Sequence, residues 1–117
     1  MARAELIREM FAIIDDGKDW DRLDKIFAPD IVYFRPGYST IRGIDELRTF
    51  YTATRRITVG RHCIVRVLSD GPGSCCWGMF SGKTKADEEV VVYFTDWYRF
   101  ADDLITYRRT FFYQPTI

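Results

Sequence analysis

The chain of 117 residues carries 17 basic and 17 acidic side chains, so its formal net charge is zero. The basic residues are scattered and no apolar run reaches bilayer length, which argues against a nucleic-acid footprint and against a helical membrane span. Hydrophobic residues at 47% and charged residues at 29% fit one globular domain over residues 1–117.

The first residues, MARAELIREM, read as a charged helix rather than a secretory leader, and the expected location is cytoplasmic. Apolar positions at Leu6, Ile7, Met10, Phe11, Ile13 and Ile14 recur at helical spacing through residues 3–16. Gly17 is a natural stop for that helix. Asp19 can cap a second helix with Trp20, Leu23, Ile26 and Phe27 on its inner side, ended by Pro29. DIVYFR alternates as a strand expected at the edge of the sheet, and PGYS turns it. GIDELRTFYTATRR predicts a third helix with Ile44, Leu47, Phe50 and Tyr51 facing inward.

After residue 57 the texture becomes β. TVGRHCIVRVLSD and SCCWGMFSGKT read as strands around a DGPG turn, and KADE turns into EVVVYFTDWYRF and LITYRRTFFY, joined by ADD. Helices followed by antiparallel strands predict an α+β fold, three N-terminal helices packed on one face of a curved, mostly antiparallel sheet. Cys63, Cys75 and Cys76 are odd in number and lack paired spacing, so they read as small buried strand residues rather than a disulfide framework. No CxxC or HxxxH spacing suggests a metal.

If ADD is a three-residue loop with Asp103 in the left-handed position, Phe100 faces Leu104, Tyr98 faces Thr106, Asp96 faces Arg108, Phe94 faces Thr110 and Val92 faces Phe112. One sheet face then carries Val92, Phe94, Asp96, Tyr98, Arg108, Thr110 and Phe112. The other carries Val91, Tyr93, Thr95, Trp97, Ile105, Tyr107, Arg109, Phe111 and Tyr113. Both are rich in large side chains, and aromatics make up 16% of the chain. The second face therefore needs a cover of its own. A second copy of the chain, docked through Tyr93, Trp97, Tyr107 and Phe111, is the simplest one.

The stretch FAPDIVYFRPGYSTIRGIDELRTFY and the ending VVYFTDWYRFADDLITYRRTFF resemble the SnoaL-like families of the nuclear transport factor 2-like superfamily, which includes ketosteroid isomerase. The resemblance covers nearly the whole chain and rests on apolar patterns, glycines and turns. It implies a cone-shaped α+β barrel with a deep apolar pocket, and dimers formed through the outer sheet face. It also implies functional positions. Arg35 stands where ketosteroid isomerase keeps its Asp base, and Met10 where it keeps an oxyanion-binding Tyr. Asp96 matches the second, protonated Asp. With two of the three groups absent, ketosteroid isomerisation by that mechanism is not expected.

The resemblance suits general acid–base chemistry (cyclisation, isomerisation, dehydration or epoxide opening) on an apolar, oxygenated substrate such as a polyketide or terpenoid ketone, with no metal and no organic cofactor. Asp96, alone or with His62, is the expected proton-transfer group, and Arg35 and Arg108 the anion stabilisers. Tyr33, Tyr98, Phe94, Phe112, Met10 and Trp77 are the expected substrate contacts. The parity of the middle strand stays open: either Trp77 and Met79, or Cys76 and Phe80, point inward. The competing reading makes Asp96–Arg108 a buried structural ion pair in a non-catalytic ligand-binding or protein-interaction domain.

Overall fold

The computed structural model describes residues 2–114. Helix α1 (Arg3–Asp16) buries Leu6, Ile7, Met10, Phe11, Ile13 and Ile14, and Gly17 ends it at φ +69° with its N–H donating to the Ile13 carbonyl. That is the conformation glycine adopts at no steric cost. The second helical segment is a 3-10 helix, Trp20–Lys25, with Leu23 buried. It stops before Phe27, because strand β1 (Phe27–Phe34) starts there and includes Pro29. Phe27 is thus a strand residue, not a helical one.

Strand β2 (Ile41–Arg42), absent from the sequence reading, precedes helix α2 (Ile44–Thr49), which runs on as a π-helical turn, Phe50–Thr54. This wider turn carries Phe50 and Tyr51, both buried, and ends at Arg55. π turns recur at functional sites. The long strands β3 (Ile57–Asp70), β4 (Gly73–Thr84), β5 (Glu89–Ala101) and β6 (Leu104–Phe112) follow.

These six strands form one open, mixed sheet in the order β2-β1-β6-β5-β4-β3. Strand β1 lies one place inside the edge rather than at it. It runs parallel to β6, pairing Tyr33 with Arg108, while every other neighbouring pair is antiparallel. The helices cover one face, and the core between them is lined from the sheet side by Tyr33, Cys76, Phe80, Val92, Phe94, Tyr98 and Ile105.

The β5–β6 hairpin corrects the expected register. Its turn has two residues, Asp102 and Asp103, both left-handed at φ +52° and +62°. Ala101 pairs with Leu104 and Phe100 with Ile105. A bulge then leaves Thr106 as the extra residue, so that Arg99 pairs with Tyr107, Tyr98 with Arg108, Asp96 with Thr110 and Phe94 with Phe112. The net shift is two residues, which preserves which side chains share a face. Asp96 and Arg108 therefore meet diagonally rather than directly. Ile105 lies before the bulge and is fully buried, on the inner face rather than the outer one.

Candidate functional site

Asp96 sits at the centre of the inner sheet face with no exposed surface. One oxygen accepts from Arg108 Nε at 2.9 Å and a terminal guanidinium nitrogen at 2.8 Å, and also from the Tyr98 hydroxyl at 2.7 Å. The other accepts from Thr110 Oγ1 at 2.6 Å. Thr110 has given its one proton to Asp96, so the Tyr33 hydroxyl, 2.7 Å away, is the donor to Thr110. Behind Tyr98, Cys76 Sγ lies 3.4 Å from the phenol oxygen. Burial pushes the Cys76 thiol up to about 12, so it is a protonated packing group. Burial also holds the Tyr98 phenol well above its usual value.

Arg108 connects this buried cluster to an opening in the molecule. Its guanidinium lies 4.4 Å over the Tyr33 ring and 5.4 Å from Phe11, and one terminal nitrogen donates to the Tyr51 hydroxyl at 2.6 Å. Burial is the largest influence and works against its charge, but Asp96 together with Tyr33, Tyr51 and Tyr98 outweighs it and holds the guanidinium well above its ordinary range. Burial raises the Tyr51 phenol, with Arg108 opposing the rise. A neutral Tyr51 accepts from Arg108 and keeps its own proton to donate.

The opening is a pocket lined by His62, Tyr51, Arg108 and Thr110 at its polar side, by Arg35 and Arg55, and by an apolar wall that includes Phe80, Phe94 and Phe112. It is narrow: water centres can occupy about 20 Å³ of it, room for a single water molecule. Arg35 follows the end of β1 and places its guanidinium 5.1 Å from the Phe112 ring and 5.5 Å from Phe50. Arg55, just after the π turn, lies 5.1 Å over Tyr51.

His62, on β3, faces the same pocket. Its Nδ1 is 2.6 Å from Asp15 Oδ1, and its backbone N–H donates to Asp15 Oδ2 at 2.8 Å. The ring packs among Phe11, Phe80 and Phe94 at centroid distances of 4.6, 4.7 and 5.5 Å. Burial lowers the imidazole below its usual value, and Asp15 opposes that shift without cancelling it. Neutral His62 with Nδ1–H aimed at Asp15 leaves Nε2 with a lone pair.

Several expected site residues converge here and others do not. His62, Arg35, Arg108, Phe94 and Phe112 line the pocket. Tyr33 and Tyr98 lie beneath it in the Asp96 network rather than on its wall, and Asp96 itself is screened from it by its four donors. Met10 is fully buried core. Trp77 is on the opposite face of the sheet and 38% exposed, since Cys76 and Phe80 take the inward positions on β4. The partner of His62 is Asp15, not Asp96.

Asp15, Tyr51 and Arg55 were not among the expected site residues. A signal for Asp15 was present: Asp15 and Asp16 close α1, the end where the helix dipole disfavours negative charge. A carboxylate there gains from a partner elsewhere. Arg55 gave no comparable signal, because a basic residue after a helix is ordinary.

Among the described residues, no group of three or more His, Cys, Asp or Glu side chains is placed to hold a metal ion, and no helix is long and apolar enough to cross a membrane.

In comparisons with known proteins, the SnoaL-like domain family matches residues 7–108. No curated protein matches in sequence. Among solved structures, a nuclear transport factor 2-like protein of unknown function from Burkholderia pseudomallei K96243 superposes with a TM-score of 0.83 at 18% identity, covering 96% of this chain and 92% of that one. A protein from Jannaschia sp. CCS1, named after the SnoaL-like polyketide cyclases, gives 0.82 at 14% identity over 94% and 84%. An M. tuberculosis LEH-like epoxide hydrolase gives 0.78 at 20% identity over 92% and 80%. At these identities the likeness is one of fold.

Proposed function

Because this chain belongs to the SnoaL-like domain family, we propose that it is a small-molecule enzyme doing general acid–base chemistry on an apolar, oxygenated substrate. The reaction is of the cyclisation, isomerisation, dehydration or epoxide-opening kind. His62 is the proton-transfer group. The observation that carries this reading is the Asp15–His62 pair facing the pocket beside Tyr51 and Arg108. Asp15 fixes the imidazole tautomer, so Nε2 can take a proton from a bound substrate. The Tyr51 hydroxyl, held by Arg108, donates to the oxygen on which negative charge develops. In this reading Asp96 positions Arg108 and is not itself the base, since its oxygens are already engaged by four donors.

Replacing His62 with Gln tests the assignment. Turnover of a substrate found by screening polycyclic ketones and terpene epoxides should fall about 10²–10⁴-fold, with substrate affinity kept within a small factor. Unchanged turnover would sink the role of His62.

A second reading, a non-catalytic ligand-binding domain, is favoured by the narrowness of the pocket. It predicts a ligand that stabilises the protein but is recovered chemically unchanged. In either case the proposed partner of the outer sheet face is a second copy of the chain, through Tyr93, Trp97, Tyr107 and Phe111.

A further inference from the structure

We infer that Arg55 and Trp20 are positioning residues for Tyr51: together they clamp its phenol ring, so that the hydroxyl stays on Arg108 at the pocket wall. The inference deepens the function proposed above and rests on Tyr51 being its proton donor.

A phenol that gives up its proton in a reaction has to be held still, and its own hydrogen bond fixes only the oxygen. Arg108 donates to the Tyr51 oxygen at 2.6 Å. The ring is held by other side chains. Trp20, on the 3-10 helix, stacks against it with centroids 5.4 Å apart and planes 10° from parallel. The Arg55 guanidinium lies over the ring at 5.1 Å, and Phe50 meets it edge-on at 5.1 Å. The backbone ties two of these together. The Arg55 N–H donates to the Phe50 carbonyl at 3.0 Å and closes the π turn. The residue that ends the turn carrying Tyr51 is thus the one whose side chain covers the Tyr51 ring.

Arg55 is placed by that ring rather than by an acid. Its Nε is buried and, among the described residues, has no hydrogen-bond partner, a costly arrangement for a charged donor. Burial weakens its hold on its proton, and Tyr51 is the largest influence opposing that loss. A cation is drawn to an aromatic face more strongly as both leave water. The influence runs both ways. Burial raises the Tyr51 phenol; Arg108 opposes the rise, Tyr33 adds to it, and Arg55 and then Arg35 oppose it. His62 faces the same pocket from β3 and is neutral. A guanidinium over the ring therefore favours the phenol as its proton leaves. An arginine that only covered apolar surface with its stem would hold the ring without tuning the oxygen.

The test places 3,5-difluorotyrosine at position 51 of the full chain and follows its two fluorines by NMR. The fluorinated phenol is more acidic than tyrosine, so it titrates at milder pH. Native protein should give a separate signal for each fluorine, because the clamped ring does not flip fast. Trp20→Leu should merge the signals, and Trp20→Phe, which keeps an aromatic wall, should leave them apart. Arg55→Gln should move the titration to higher pH, and Arg55→Lys, which keeps the charge, should bring much of it back. Arg56→Gln removes an exposed neighbouring charge and should leave the titration in place. On a substrate from the screen above, Arg55→Gln should lower kcat about 2–30-fold with KM nearly unchanged. A single averaged signal in native protein, a ring still held in Trp20→Leu, or a titration that Arg55→Gln leaves unmoved or Arg56→Gln moves equally would each overturn the inference. Tyr51→Phe separates it from the reading beneath it. If Tyr51→Phe turns over substrate at the native rate, Tyr51 is not the donor and the proposed function loses that group, whatever the fluorines show. If Tyr51→Phe is inactive while Arg55→Gln changes neither titration nor kcat, the donor stands and the clamp fails.

Discussion

His62 Nδ1 and Asp15 Oδ1 lie 2.6 Å apart, tying the middle of β3 to the last turn of α1. The second Asp15 oxygen takes the His62 backbone N–H, so the carboxylate holds the residue at two points. The consequence is a neutral, oriented imidazole. His62 is the only histidine in the chain, which makes its titration directly observable by NMR. Its pKa should fall below the unfolded value of about 6.5, because burial outweighs Asp15. The sign for stability follows. Between the depressed folded value and about pH 6.5 the unfolded chain binds more protons, so stability rises with pH in that window and drops as pH falls through it. Urea midpoints measured across it should decrease toward acid, and His62→Gln should flatten that part of the profile. A folded pKa above the unfolded one would contradict this account.

Asp96→Asn should act on stability before it acts on chemistry. It removes the charge opposite a fully buried Arg108 guanidinium and turns one acceptor of the network into a donor. Breaking one side of a buried pair costs about 3–5 kcal/mol, a large share of the roughly 5–15 kcal/mol that holds a domain folded. Asp96→Leu combined with Arg108→Met should recover much of the loss, since paired apolar replacement leaves no stranded charge. Chemical denaturation of the three proteins checks this. A fully stable Asp96→Asn variant would mean that Arg108 finds another anion.

Much of the fold was legible because it rests on short-range patterns. The α1 face, the Gly17 stop, the limits of β3 to β6 and the inner face of the last hairpin all follow from periodicity and turn residues. The parts not legible depend on contacts distant in sequence. The pairing of β1 beside β6 and the two-residue β2 leave no local trace. A bulge at Thr106 looks like ordinary strand sequence, yet it alone puts Ile105 inside. At the site, Arg35, Arg108 and His62 were readable as unusual polar residues on inward strand positions. The union of His62 with Asp15, 47 residues away, was not, because it depends on where α1 crosses β3.

The hairpin turn that carried the register error yields a prediction of its own. Asp102 and Asp103 both occupy left-handed backbone conformations, which cost an ordinary L-residue roughly 1–2 kcal/mol each, with Asn and Gly the preferred occupants. Replacing the pair with Asn-Gly should stabilise the protein by about 1 kcal/mol and leave ligand binding untouched, because the turn is far along β5 and β6 from the pocket. Thermal melts of the double variant decide it. A lower melting temperature would show that the aspartates make compensating contacts.

The outer sheet face gives the last test. Tyr93 is 62% exposed and Phe111 51%; Trp77 and Phe111 flank Thr95 from the two adjacent strands, since Thr95 pairs with both, and Tyr93 lies two residues before Thr95 on β5 itself. Trp97 extends the patch. Tyr107 is half-buried, its hydroxyl accepting from Arg109 Nε at 2.9 Å, and so forms its rim. Exposed aromatics gathered on one face mark an interface more often than a solvent boundary. If a second copy covers it, the native protein should elute and scatter light as a dimer. Tyr93→Lys and Phe111→Lys should each shift it toward monomer. Apparent stability should then lose its dependence on protein concentration, while the Asp15–His62 contact, on the opposite face, keeps its NMR signature. A native protein that is monomeric at every concentration, or a dimer indifferent to both lysines, would place the interface elsewhere and leave these aromatics to a different occupant.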